Sequence, residues 1–290
     1  MSIAGLTIIG ESINDSVPST HAIFERNDLA GIVALAKSQA ESGAAYIDVN
    51  VGIRPPEFMA EVVKKIQEHL SLPLSIDTPD PAIAAAGLEA YNSGRAGGRK
   101  PVLNSISQAR VEMFDLYAKK PFIPSLLVTE GEDSNGAMRM NKTAEETYET
   151  AKAMVSIARQ RMKDVPNHEL ILDPGIVPIG ADTEGNFKRL MKTTQMIHQD
   201  ADLKGVNMSV GLSNFTVMLP AKRADGSPVR GPLESAFLTL AMPLGFNTAV
   251  ASVKRNYALL PDDHPAMQCL RDVLTLDGFD AIMRVMSFYS

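Results

Sequence analysis

Five short segments join an apolar run to a terminal carboxylate or amide: Asp48-Val-Asn-Val-Gly52, Ser75-Ile-Asp-Thr78, Val102-Leu-Asn-Ser105, Ile171-Leu-Asp-Pro174 and Val210-Gly-Leu-Ser-Asn214. A β-strand that is apolar along its length and polar at its C-terminal tip belongs in a parallel sheet whose strand ends open on a ligand site. The tips are Asp and Asn, with no Lys, Cys or His among them. Carboxylates and amides of this kind suit the donor-rich edge of a heterocycle better than phosphate or metal.

Each residue also has a structural reading. A lone Asp after a strand most often caps the next helix. Asp77 is relieved of that role by Asp80, which stands directly before Pro81. Asp173 precedes Pro174, which biases it toward an extended backbone and leaves its carboxylate to face the mouth or to bond a loop amide. Asn104 and Asn214 are able to satisfy local backbone groups. Taken singly, each structural reading is as good as the functional one; their coincidence at successive strand ends favours a site. Arg230 reads as an anion ligand or as a solvated cation. Phe215 and Met218 read as a cover for a planar ligand or as packing beneath a loop. The 5 histidines show no paired metal spacing, so no metal site is expected. The 15 methionines and absent Trp read as an adaptable core rather than a cofactor box.

The bulk numbers exclude several classes. At 290 residues with 45% hydrophobic content, the chain has the size of one α/β barrel and enough apolar mass for its core. The net charge of −6 and the lack of a basic stripe argue against nucleic acid as partner. The single cysteine, Cys269, excludes an internal disulfide and a Cys-rich metal centre. The N-terminus runs straight into a strand-like Leu6-Thr-Ile-Ile9, with no signal-peptide pattern and no membrane span. A cytoplasmic protein without membrane contact is expected.

Strand and helix signals alternate along the chain. Residues 6–9, 46–50, 73–76, 101–103, 123–128, 169–172, 207–210 and 248–250 are eight strand candidates. Between them, Asp28 caps a helix that stops before Gly43, Pro55-Pro56 opens a second, Asp80-Pro81 a third, and residues 108–118 read as helical. Thr143-Ala-Glu-Glu146 is a capping box that starts a long helix. Eight such units predict an α/β fold, a TIM (β/α)8 barrel forming a single domain over residues 1–290. The rival, an open doubly wound sheet, calls for a Gly-rich phosphate turn after the first strand; Gly10-Glu-Ser-Ile-Asn14 has no second glycine. Two segments break the rhythm, polar 130–141 and basic 221–231. Both follow strand ends and are expected on the ligand face, as active-site loops or as ordinary insertions.

The ordered succession IIGESIN (8–14), GAAYIDVNVG (43–52), LSIDT (74–78), LNSIS (103–107), ILDPGIVP (171–178) and GLSN (211–214) resembles the pterin-binding barrels. Within them it is similar to the methyltetrahydrofolate:corrinoid-protein methyltransferases, over most of the chain. Dihydropteroate synthases share the barrel, but their Asn-Val-Thr-Pro-Asp-Ser-Phe stretch is replaced here by INDSVPST (13–20), and their late Ser-Arg pair and His are missing. The resemblance implies that Asp77, Asn104 and Asp173 grip the amino, ring N–H and amide edge of a pterin. It implies that Asp48 and Asn50 line the pocket floor, that Gly211 and Ser213 shape the loop carrying Asn214, and that Asn214 approaches N5 of a folate. Arg230 matches a pocket Arg, although the loop before it is longer here, and Val217 stands where a Gln is expected. Asn214 and Asp77 are the implied catalytic residues.

The implied activity is methyl transfer between N5 of tetrahydrofolate and the cobalt of a separate corrinoid protein, forming methyltetrahydrofolate in a demethylation system. The alternatives are the opposite direction, as in acetogenic carbon fixation, and a non-catalytic folate or pterin carrier on the same barrel. Tetrahydrofolate or 5-methyltetrahydrofolate is then the substrate, the partner protein supplies the corrinoid, and a homodimer is expected.

Overall fold

The structure, a computed structural model, describes residues 3–133, 135–163 and 165–290. Met1 and Ser2 of the expected domain and Ser134 of the expected 130–141 loop lie outside the described residues, as does Asp164. The strands are β1 (Thr7–Asn14), β2 (Tyr46–Asn50), β3 (Leu74–Asp77), β4 (Val102–Ile106), β5 (Ile123–Leu127), β6 (Glu130–Glu132), β7 (Met138–Met140), β8 (Ile171–Asp173), β9 (Asn207–Met208) and β10 (Thr248–Ala251). All but β6 and β7 form one parallel sheet in the order β10-β1-β2-β3-β4-β5-β8-β9. Val250 N–H donates to Val210 O at 3.1 Å, and a parallel bridge joins Gly211 to Val250, so the ends of the sheet meet. The result is the expected α/β TIM barrel.

Helices α1 (Pro18–Glu25), α2 (Leu29–Glu41), α3 (Pro56–His69), α4 (Pro81–Ala90), α5 (Ala144–Arg161), α6 (Asn186–Gln199), α7 (Arg230–Ala241), α8 (Pro265–Val273) and α9 (Gly278–Tyr289) surround the strands. Local signals start several of them. Asp28 accepts from Gly31 N–H, Asp80 from Ala82 and Ile83, and Thr143 and Glu146 close a complete capping box. The helical signal over 108–118 resolves instead into 3-10 turns broken at Arg110.

Strand alternation sorts side chains into two cores. Ile47, Val49, Leu74, Ile76, Leu103, Leu126 and Leu172 face outward into the large core shared with the helices. The inward-facing set begins apolar: Ile9, Val102 and Ile171 pack with Tyr46, Ile123 and Val250 at the N-terminal half of the barrel. Two residues further along the same strands the interior turns polar, at Glu11, Asp48, Asn104, Ser125 and Asp173. A sealed apolar floor beneath polar strand ends is what makes the C-terminal face a site and not merely a rim.

Candidate active site

The lower part of the site is a carboxyl pair. Asp48 on β2 is in register with Ser75 on β3, and Asp77 follows two residues later, beside Asn104 on β4. Asn50 donates from Nδ2 to Asp77 Oδ2 at 2.9 Å, while its Oδ1 accepts from Gly52 N–H at 2.9 Å. Asn50 is thus fixed at both ends of its amide and holds the Asp77 carboxylate in place. Asp48 is fully buried, and neither of its oxygens has a well-formed partner. Burial first, then the neighbouring Asp77 charge, pushes the Asp48 carboxyl well above the usual range. Asp77 is raised less, because its burial is opposed by bonds from Asn50 and Asp48. Burial and the proximity of the two carboxyls thus both favour a single negative charge on the pair.

Asp173 closes β8. Its Oδ1 accepts from Gly175 N–H at 2.8 Å, and burial pushes its pKa up to about 7. Both readings of this residue hold at once, since it bonds a loop amide and also faces an open cleft. That cleft, about 690 Å³, is bounded by Asp173, Gly175, Gly211 and Asn214 on one side and by Met140, Asn141, Lys142, Glu184, Asn186 and Arg189 on the other. Its size is that of a site for a drug-sized ligand. Among the described residues, the side chains of Asn104 and Asn214 make no hydrogen bond to protein. Their amides are left for a ligand.

Asn214 sits on a 3-10 turn, Leu212–Thr216, exposed at the mouth. The turn is pinned on both sides of Asn214. Ser213 Oγ donates to Glu11 on β1, and Thr216 Oγ1 donates to Glu234, which is fully buried and also receives Arg255 and the Tyr257 hydroxyl. Burial raises the Glu11 carboxyl, and the Ser213 bond and the Arg255 charge oppose it. A Cβ on Gly211 would come within 2.8 Å of Asn214 Nδ2, so the glycine makes room for the amide. Phe215 turns away from the mouth, fully buried against Phe187 and Phe237.

The structure thus gathers Asp48, Asn50, Asp77 and Asn104 on neighbouring strand ends, and Asp173, Gly211 and Asn214 around the cleft, with Ser213 beneath. Asp48, Asn50, Asp77 and Asn104 do not themselves border that cleft; Arg230 does not border it either, and it is engaged elsewhere, its Nε and Nη2 both donating to Leu219 O at 2.9 and 2.6 Å. Of the two unusual segments, 130–141 forms the β6–β7 hairpin and delivers Met140 and Asn141 to the cleft. The 221–231 segment instead lays Arg223 over the Phe288 ring of α9 at 4.0 Å. Glu11, which accepts from Ser213, and Lys142 and Arg189, which border the cleft, are positions that sequence reasoning did not single out. Ile13, apolar two residues past Glu11, was the available signal that β1 continues beyond Ile9. Among the described residues, no cluster of His, Cys, Asp and Glu is arranged to hold a metal ion, and no helix is long and apolar enough to cross a membrane.

Comparison with known proteins bears on this geometry. A family model described as pterin binding enzyme matches residues 13–251. A methylcorrinoid:tetrahydrofolate methyltransferase of Eubacterium limosum is 29% identical over 258 residues, 84% of each chain. Among solved structures, a Yersinia pestis dihydropteroate synthase with a pterine-sulfa conjugate superposes with TM-score 0.58 at 15% identity, covering 93% of both chains. The Thermus thermophilus dihydropteroate synthase gives 0.57 at 18% identity, covering 95% of this chain and 93% of that one. These last two share the fold.

Proposed function

Because the chain belongs to the pterin binding enzyme family, we propose that it transfers a methyl group between N5 of tetrahydrofolate and the cobalt of a corrinoid carried by a separate protein, in the direction that forms methyltetrahydrofolate. The observation that carries this reading is that Asp173 and the unpartnered amide of Asn214 border the same open cleft from one side. A pterin presents N–H donors along one edge and N5 on the opposite one. Carboxylates at the strand ends hold the donors, and an amide at the mouth meets N5.

The similarity to the Eubacterium limosum methyltransferase supports methyl transfer over synthase chemistry. So does the rim of the site. Val17, Ile53, Met138, Met140, Val217 and Met218, all in segments that follow strand C-terminal ends, are exposed, Ile53 completely. An apolar collar around a polar cleft suits a protein partner that covers the mouth. A carrier of free folate has no use for one.

The partner's corrinoid supplies a methyl group on cobalt and takes the bonding electron pair when that group leaves. The rest falls to this chain. Asp77, Asn104 and Asp173 orient the pterin so that the N5 lone pair points out of the cleft. Asn214 hydrogen-bonds at N5 without titrating, and the proton that N5 sheds on methylation leaves through the mouth. An interaction that strengthens as charge develops at N5 lowers the barrier.

The test is single-turnover transfer from a purified methylated corrinoid protein to saturating tetrahydrofolate. Wild type forms methyltetrahydrofolate stoichiometrically. Asn214→Ala loses about 2–4 kcal/mol of barrier stabilisation, by analogy with loss of one oxyanion-hole donor, at an unchanged melting temperature. Folate binding without any transfer, in either direction, leaves a carrier. Transfer that proceeds only from methyltetrahydrofolate to reduced corrinoid assigns the opposite physiological direction.

A further inference from the structure

The two sides of the cleft differ in charge. The strand-end side carries Asp173; the other side, where α5 and α6 begin, carries Lys142 and Arg189. The cleft therefore runs outward from the barrel axis across the tops of these two helices. Arg189 is held in place: Nη1 donates to the backbone carbonyl of Asn141, whose own amide is fixed by Val128 O and Thr150 Oγ1, each at 3.0 Å. Its Nε is buried with no partner. Neighbouring cations are all neutralised, Arg139 by Glu146, Lys188 by Asp277 and Lys192 by Glu145. Among the described residues, no carboxylate lies within 4.0 Å of Lys142 Nζ or of the Arg189 guanidinium. Of the carboxylates whose charge reaches Arg189, Asp182 is bonded to the Asn186 and Phe187 N–H groups, Glu146 is paired with Arg139, and Glu184 is exposed on the same side of the cleft.

Among the described residues, this half-buried guanidinium has an Nη2 with no hydrogen-bond partner and no carboxylate in contact, an arrangement that an anionic ligand would complete. We infer that Lys142 and Arg189 form a carboxylate-binding subsite for the glutamyl tail of the folate substrate. The inference rests on the methyl-transfer reading for the identity of the ligand. The 690 Å³ cleft extends well beyond the strand ends, so a ligand whose head lies on Asp173 projects its far end over the helix tops. Arg189 keeps Nη2 to donate to a carboxylate, and the exposed Lys142 ammonium adds a mobile point charge.

The test compares tetrahydrofolate with tetrahydropteroyl carboxamide, which keeps the ring system and aminobenzoyl group but carries no carboxylate, by calorimetric titration of wild type, Lys142→Gln and Arg189→Gln. Wild type should prefer tetrahydrofolate by about tenfold, with the preference shrinking as salt is raised. Each variant should lose most of that preference while affinity for the carboxamide holds. Lys142 is exposed, so Lys142→Gln reports on the subsite even where Arg189→Gln weakens the fold. Equal wild-type affinity for the two ligands, or a preference that survives both substitutions, overturns the subsite and leaves the pterin reading intact. Failure of wild type to bind either ligand removes the pterin reading and this inference with it.

Discussion

Replacing Asp173 by Asn should flatten the pH dependence of folate binding. The carboxyl titrates at about 7 because it is buried with, among the described residues, one backbone N–H as its hydrogen-bond partner. Pterin N–H donors bind the carboxylate and not the acid, so the ligand selects the ionised form. The apparent Kd is the intrinsic value divided by the ionised fraction. At about pH 6 that fraction is roughly one tenth and at about pH 8 roughly nine tenths. Affinity should therefore improve close to tenfold across this interval, about 1.4 kcal/mol, with release of nearly one proton per ligand at the acid end.

The free protein should show the opposite trend in stability. The folded pKa lies above the unfolded value of about 3.9, so the neutral acid favours the fold. That contribution is fully present below about pH 4 and is lost as the pH rises through about 7, an effect of up to about 4 kcal/mol before any discount for partial exposure. Asn at 173 stays neutral, keeps an oxygen for Gly175 N–H, and should melt higher than wild type at about pH 8 while binding folate more weakly there. Calorimetry in two buffers of different ionisation enthalpy counts the protons, and thermal melts across the same range read the stability. Flat wild-type affinity with no proton released would refute the reasoning, as would a slope that persists in Asp173→Asn.

Other consequences are open to direct measurement. Asp77→Ala should weaken tetrahydrofolate binding by about 2–4 kcal/mol in calorimetry with chelator present, since it strips the acceptor that Asn50 holds in place; an unchanged Kd would remove Asp77 from the site. Glu11→Ala should slow single-turnover transfer by at least about tenfold with little effect on folate Kd, because Ser213 loses the anchor that steadies the Asn214 turn. Glu11→Gln, which still accepts from Ser213, should restore most of the rate, and equal loss in both variants would show the charge rather than the hydrogen bond to matter. Gly211→Ala should mimic Asn214→Ala in rate at a near-normal melting temperature. Its φ of −71° suits any residue, so the added methyl acts only by displacing the amide; a wild-type rate would mean that the amide's position is unimportant.

The strand ends were legible because each couples a continuous apolar run, needed to bury both faces of a parallel strand, to a polar tip that has no place in the core. Helix starts at Asp28, Asp80 and Thr143 were equally plain, since a side-chain cap is written within four residues of sequence. α1 lacks that signature: Val17 stands at its N-cap with no side-chain bond. The β6–β7 hairpin left no trace because only Gly131 of its six residues is buried, so no alternation marks it. Glu11 was hidden by its neighbours. A glycine and a glutamate after Ile9 read as the end of a strand, whereas β1 continues past a register shift to Asn14 and turns Glu11 inward. Arg189 and Lys142 carry no local signal at all. They are 47 positions apart in sequence and meet only because α5 and α6 pack side by side.

That last pair changes what the rest of the site means. With acceptors at the barrel axis and cations over the helix tops, the cleft has a direction, and an elongated ligand with a donor-rich head and an anionic tail fits it only one way round. Reversal would set carboxylates against Asp173 and against the charge shared by Asp48 and Asp77, at a cost of several kcal/mol in a partly desolvated site. Orientation fixed from both ends leaves the middle of the ligand little freedom. The atom between head and tail is then held beneath the mouth, beside Asn214, by groups that never touch it. Chemistry at that atom needs only a modest amide from the protein, because most of the work is positioning. On the methyl-transfer reading, a mouth without Lys, Cys or His at its strand tips suffices because the two ends of the ligand do the positioning.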